Sequence, residues 1–81
     1  MEQSILIQDQ YIKEYRIKVG TIVRESREKK GYSMDHLAKL MNLNSSTISK
    51  IENGRFAYNI DVLARLSWIL NCDLELLTDN I

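Results

Sequence analysis

Residues 45–54 read SSTISKIENG, with Ile48 and Ile51 one helical turn apart and short hydroxyls at half of the other positions. At about 100° per residue, Ile48, Ile51 and Glu52 gather on one side of a helix, while Ser46, Ser49, Lys50 and Asn53 fall on the other. A face left simply in water favours Glu, Lys, Gln and Ala, which are better helix formers than Ser, Thr or Asn. The segment therefore gives up local helix stability. Short hydroxyls, an amide and one lysine suit close approach to base edges and phosphate oxygens, so a helix lying in a DNA major groove fits the choice. On periodicity alone, a poorly optimised surface helix is the simpler reading, and the flanking sequence has to decide between the two.

Upstream, Ser33 is a good N-cap with Asp35 in the first turn, and Leu37, Leu40 and Met41 form the apolar face of a short helix ending near Met41. Asn42-Leu43-Asn44 makes a three-residue turn, Asn44 caps the next helix, and Asn53-Gly54 closes it. Two short helices so joined form a helix-turn-helix. Before them, Val19, Ile22, Val23 and Ser26 line one side of a helix stopped by Gly31. Tyr15 and Ile12 extend that stripe towards a start near Asp9 or Gln10. Ile17 points the other way and Gly20 weakens the interior by about 1 kcal/mol, so a break near residues 17–20 competes with one long helix. The run Ser4-Ile5-Leu6-Ile7-Gln8 is open between a strand, a helical turn and an arm laid on a partner; residues 1–12 are set apart as an extension or the start of the first helix, and 13–81 as the domain. Downstream, Asn59 caps a fourth helix with Ile60, Leu63, Leu66, Ser67 and Leu70 on one side, and Asp73 caps a final turn with Leu74 and Leu77. The expectation is all-α: five helices in one compact domain plus a short N-terminal extension.

A chain of 81 residues makes one small domain that buries only about 60% of its unfolded surface. No apolar run approaches the roughly 20 residues of a membrane span, and the start, MEQS, lacks the base of a secretory signal, so a cytoplasmic protein is expected. The net charge of +0 hides segregation: residues 13–55 hold ten bases and five acids, while both ends are acidic. The middle is the part suited to phosphates. Cys72 and His36, the lone residues of their types, form no catalytic or metal-binding constellation. Cys72 reads as a small core residue and His36 as a solvated one, so no enzyme, metal or cofactor is expected.

Residues 19–77 resemble the Cro/repressor type of helix-turn-helix domain, the lambda-repressor-like fold of phage repressors and bacterial xenobiotic-response-element regulators. The resemblance rests on VGTIVRESREKKGYSMDHLAKLMNLNSSTISKIENG, with its Arg-x-x-x-Gly, then Ser, Leu-Ala, and Ser/Thr-x-Ile-Ser-x-Ile-Glu-Asn-Gly. It implies double-stranded DNA as partner and an ion pair from Arg27 to the inward carboxylate of Glu52, a group costly to bury alone. It also implies close helix crossing at Ala38, and phosphate contacts from the Gly54 region, the Asn53 side chain and Arg55, while Arg24 stands open between a further phosphate contact and an ordinary solvated arginine. Ser45 and Ser46 are assigned to base or phosphate contacts, Ser49 and Lys50 to base edges, and Asn44 to capping plus a backbone contact. The sequence also departs from the pattern. Met34 replaces the usual Gln, removing one phosphate anchor, and Tyr58-Asn59 replaces Pro-Ser, with Tyr58 open to a phosphate or to packing.

Trp68 stands where relatives carry a charged residue and turns away from the Leu63, Leu66 and Leu70 side. With Ile69, Leu76 and Ile81 it suggests an apolar homodimer interface, unless residues 1–12 fold back over it. The function expected is a transcriptional repressor or autoregulator on a pseudo-palindromic operator, of the phage-repressor, restriction-modification-controller or antitoxin kind. The competing reading is a protein-interaction module on the same fold, such as an antitoxin whose main role is binding a toxin.

Overall fold

A computed structural model describes residues 2–72, in which four α-helices follow one another with no strand among them: α1 Glu2–Lys29, α2 Met34–Met41, α3 Ser45–Glu52 and α4 Ile60–Leu70. The fifth turn expected after Asp73 lies outside the described residues, as do Leu76 and Ile81.

Each boundary has a local chemical cause. Asn44 and Asn59 accept the backbone N–H of the third residue beyond them, and Ser33 does the same for His36. At the other ends α1 and α3 stop at left-handed glycines, Gly31 and Gly54, both at φ 74°, while Asn42 and Asn71 take that role for α2 and α4. In α1, α2 and α3 the two residues past the end turn their N–H groups back to the last carbonyls. Tyr32 donates to Arg27, Leu43 to Ala38 and Arg55 to Lys50 in this paired pattern.

The core comprises Val19, Val23, Leu37, Ala38, Met41, Ile48, Ile51, Leu66 and Leu70. α3 lies in the angle between α1 and α2, and α4 closes the opposite side against the same two helices. Buried Ala38 allows α2 and α3 to approach. Met34 packs on the core margin, as do Phe56 and Tyr58, whose rings meet edge to face at 5.4 Å. Cys72 is half-buried, in no disulfide, with its thiol directed at the Leu66 carbonyl.

Four sequence expectations change. α1 is unbroken and begins at Glu2, so the apolar run at residues 4–8 is helical. At about 1.5 Å per residue its 28 residues span about 42 Å, nearly the molecule's longest dimension of 44 Å. Ile12, placed on the inner stripe, is exposed, because α1 outruns the helices that would cover it. Leu40 is 47% exposed rather than core: with Met34 and Ala38 buried or half-buried, the inner stripe of α2 centres away from it. Ile60 is 72% exposed for the same reason, since Val62 and Ile69 turn the buried side of α4 away from its first residue.

Candidate nucleic-acid interface

α3 is divided by direction. Ile48 and Ile51 are fully buried, whereas Ser45, Ser46, Lys50 and Asn53 are exposed and Ser49 is half-exposed. The polar side is therefore uncovered by any described helix.

The inner side is locked by a single ion pair. Arg27 donates from Nε to Oε2 of Glu52 at 2.6 Å and from NH2 to Oε1 at 3.1 Å, while its third nitrogen donates to the Tyr32 carbonyl at 2.7 Å. Two parallel bonds fix a planar guanidinium against a planar carboxylate. Glu52 is 7% exposed, and the hydrogen bonds to it raise the Arg27 pKa further above its ordinary value despite partial burial. One arginine thus ties the end of α1, the turn after it and the end of α3.

Two glycines complete the seat of α3, and periodicity gave no sign of the first. A Cβ on Gly20 would overlap the carbonyl oxygen of Ile51 and come within 2.7 Å of that of Glu52. Only a bare Cα lets α1 approach the last turn of α3 so closely. A Cβ on Gly54 would meet the Ile17 side chain at 2.6 Å, which accounts for Ile17 standing off the main stripe. The Tyr58 hydroxyl donates to the Ile51 carbonyl at 3.2 Å, so Tyr58 packs rather than reaching outward. Its burial, with the nearby Glu52 charge, pushes its pKa well above the ordinary phenol value.

The outward side chains are ordered among themselves. Asn44 Oδ1 accepts from Thr47 N and Thr47 Oγ1, both at 2.9 Å, and from Ser46 Oγ at 2.6 Å. Asn53 Nδ2 donates to the Ser49 carbonyl at 2.8 Å and to its hydroxyl at 3.3 Å. The backbone N–H groups of Asn53, Gly54 and Arg55 donate to Ser49, Ile51 and Lys50. The backbone N–H groups around Gly54 are thus already engaged in the helix end, and the Asn53 amide is likewise engaged with Ser49. Arg55 is exposed beside them. Arg24, also exposed, stands at 3.6 Å from Glu28 in a loose pair that a stronger anion would displace.

On α4, Trp68 is 86% exposed and Ile69 is half-buried. Leu40, Met41, Asn42, Ala64 and Arg65 join them around a shallow groove of about 350 Å³. The first helix does not fold back over Trp68. His36 is exposed, its ring edge-on to Tyr32 at 4.7 Å. Among the described residues no cluster of three or more His, Cys, Asp or Glu side chains is placed to hold a metal, and no helix is long and apolar enough to cross a membrane.

Comparison with known proteins places this arrangement. The chain is 30% identical over 60 residues to the ImmF control region 10 kDa protein of Bacillus phage phi105, covering 74% of this chain and 67% of that one. It is 36% identical over 52 residues to an HTH-type transcriptional regulatory protein of Thermococcus kodakarensis, covering 64% of this chain but 16% of that longer protein. The restriction-modification controller protein C.AhdI of Aeromonas hydrophila superposes with a TM-score of 0.68 at 28% identity, over 75% of this chain and 88% of its own. The clp gene regulator ClgR of Corynebacterium glutamicum superposes with a TM-score of 0.68 at 25% identity, over 73% and 76% of the two chains. With the helix-turn-helix family model matching residues 23–77, the chain belongs to the Cro/C1-type helix-turn-helix family of non-enzymatic, DNA-binding transcription regulators.

Proposed function

We propose that the protein is a sequence-specific regulator, a repressor or autoregulator acting in the cytoplasm, which binds a pseudo-palindromic operator as a dimer with residues 45–53 in the major groove. The observation that carries this reading is the two-sidedness of α3: its isoleucines and Glu52 are buried while Ser45, Ser46, Lys50 and Asn53 stand uncovered. Ser49 and Lys50 read base edges, lysine preferring guanine acceptors. Ser45, Ser46, Asn44, Asn53, Arg55 and Arg24 hold sugar and phosphate, with Asn44 Nδ2 as donor because its oxygen is bound to Ser46 and Thr47. The names of a phage control-region relative and a restriction-modification controller support control of nearby genes.

Dimerisation is assigned to the Trp68 and Ile69 face of α4, with Leu76 and Ile81 beyond the described residues contributing. In such a dimer the half-sites lie about 34 Å apart. The exposed tryptophan also favours a second reading, a module whose main partner is another protein, such as a toxin. Titration with the gene's own upstream DNA at several salt concentrations separates the two. A regulator gives a complex whose affinity falls steeply and log-linearly with salt. Absence of any salt-sensitive complex would defeat the DNA reading.

A further inference from the structure

From residue 13 onward the charges of α1 are sorted by direction. At about 100° per residue, Lys13, Arg16, Arg24 and Arg27 lie within about 40° of the direction of Gly20, whereas Glu14, Glu25 and Glu28 lie about 80–140° from it. Lys18 and Lys29 face the opposite way, and Asp9, one turn ahead of Lys13, bounds the basic side. That basic side is the one that carries α3. Gly20 approaches the carbonyls of Ile51 and Glu52, Arg27 holds the Glu52 carboxylate, and Ile17 covers Gly54 where α3 ends.

Two of these cations are neutralised within the fold, Arg27 by Glu52 and Arg24 by its loose pair with Glu28. Lys13 and Arg16 stand one turn ahead of Ile17 and Gly20, about 5–6 Å further along the helix, and neither has a carboxylate partner among the described residues. Lys13 is exposed and Arg16 half-exposed. The chain leaving α3 heads the same way: Ile51 and Glu52 meet α1 at Gly20, Gly54 meets it at Ile17, and exposed Arg55 follows. Lys50 and Arg55 are thus succeeded on α1 by Lys13 and Arg16. Glu52, the one acid of residues 45–59, is already taken by Arg27. Cations strung across two elements with no free acid between them suit a polyanion rather than a single small ligand, and they continue the outer side of α3.

Resting on the DNA reading above, we infer that Lys13 and Arg16 hold the DNA backbone beside the phosphate held by Arg55, extending the contact past the helix-turn-helix onto the amino-terminal part of α1. Titration of the full chain with the gene's own upstream DNA and with a random duplex, over a range of salt, tests it. Lys13→Gln and Arg16→Gln should each flatten the slope of log affinity against log salt by about 1, and together by about 2, with like loss on both duplexes because phosphates carry no sequence. Lys29→Gln, about 160° around α1 from Lys13, should leave the slope unchanged. Far-UV circular dichroism checks that each variant keeps its helices. A double variant with the wild-type slope, or a Lys29→Gln variant that flattens it as much as Lys13→Gln, would overturn this inference and leave the DNA reading standing. A wild-type chain that forms no salt-sensitive complex would defeat both.

Discussion

Arg27 grips Glu52 through both carboxylate oxygens, at 2.6 and 3.1 Å, across 25 residues of chain. The pair joins the last turn of α1 to the last turn of α3, so the angle at which the polar side of α3 faces outward depends on it. Removing Arg27 leaves a carboxylate that is almost fully buried. Arg27→Ala is expected to lower stability by about 3–5 kcal/mol, read by urea or thermal unfolding. Arg27→Lys should recover little of this, because an ammonium cannot make the two parallel bonds and the Tyr32 contact together.

Gly20→Ala inverts the usual effect of such a change. In an exposed helix it would stabilise by about 1 kcal/mol. Here the new methyl meets the backbone oxygens of Ile51 and Glu52, which no rotamer change can move aside. A net loss of about 1–3 kcal/mol in denaturant unfolding is expected, with α3 displaced. Unchanged or increased stability would show that the two helices do not touch there.

Lys50→Ala separates reading from holding. If Lys50 reaches a base edge, binding to the operator should weaken by about 1–3 kcal/mol while binding to random DNA barely changes. Arg55→Ala should instead weaken both and flatten the salt dependence. Competition titrations with operator and random duplexes measure the two together; equal loss on both duplexes for Lys50→Ala would make it a phosphate contact.

Tyr58 makes alkaline stability a probe of the α3 seat. Its phenol ionises near 10 when unfolded and higher when folded. The unfolded chain therefore releases the proton first as pH rises, and the stabilisation present below about pH 10 is lost above it. Unfolding free energy should decline above pH 10, and Tyr58→Phe should reduce that decline. Urea titrations from pH 8 to 11 give both slopes.

Asn44→Ala tests the cap that starts α3. Its side-chain oxygen serves one backbone N–H and two hydroxyls. A loss of about 1 kcal/mol in stability is expected, with a larger effect on operator affinity than on unfolding because Ser46 and Thr47 lose their common acceptor.

The helical content, the caps at Ser33, Asn44 and Asn59, the stops at Gly31 and Gly54, and the two-sidedness of α3 were legible in the residues. All are local: a cap, a left-handed turn and a 3.6-residue period involve neighbours within a turn or two. What the sequence could not supply was whether a given helix face meets another. Ile12, Leu40 and Ile60 have the right period yet lie exposed, because period specifies a direction and not a neighbour. Gly20 read as a weak point in a helix. Its necessity comes from a backbone on α3 more than thirty residues away, and tertiary packing alone brings that backbone within reach.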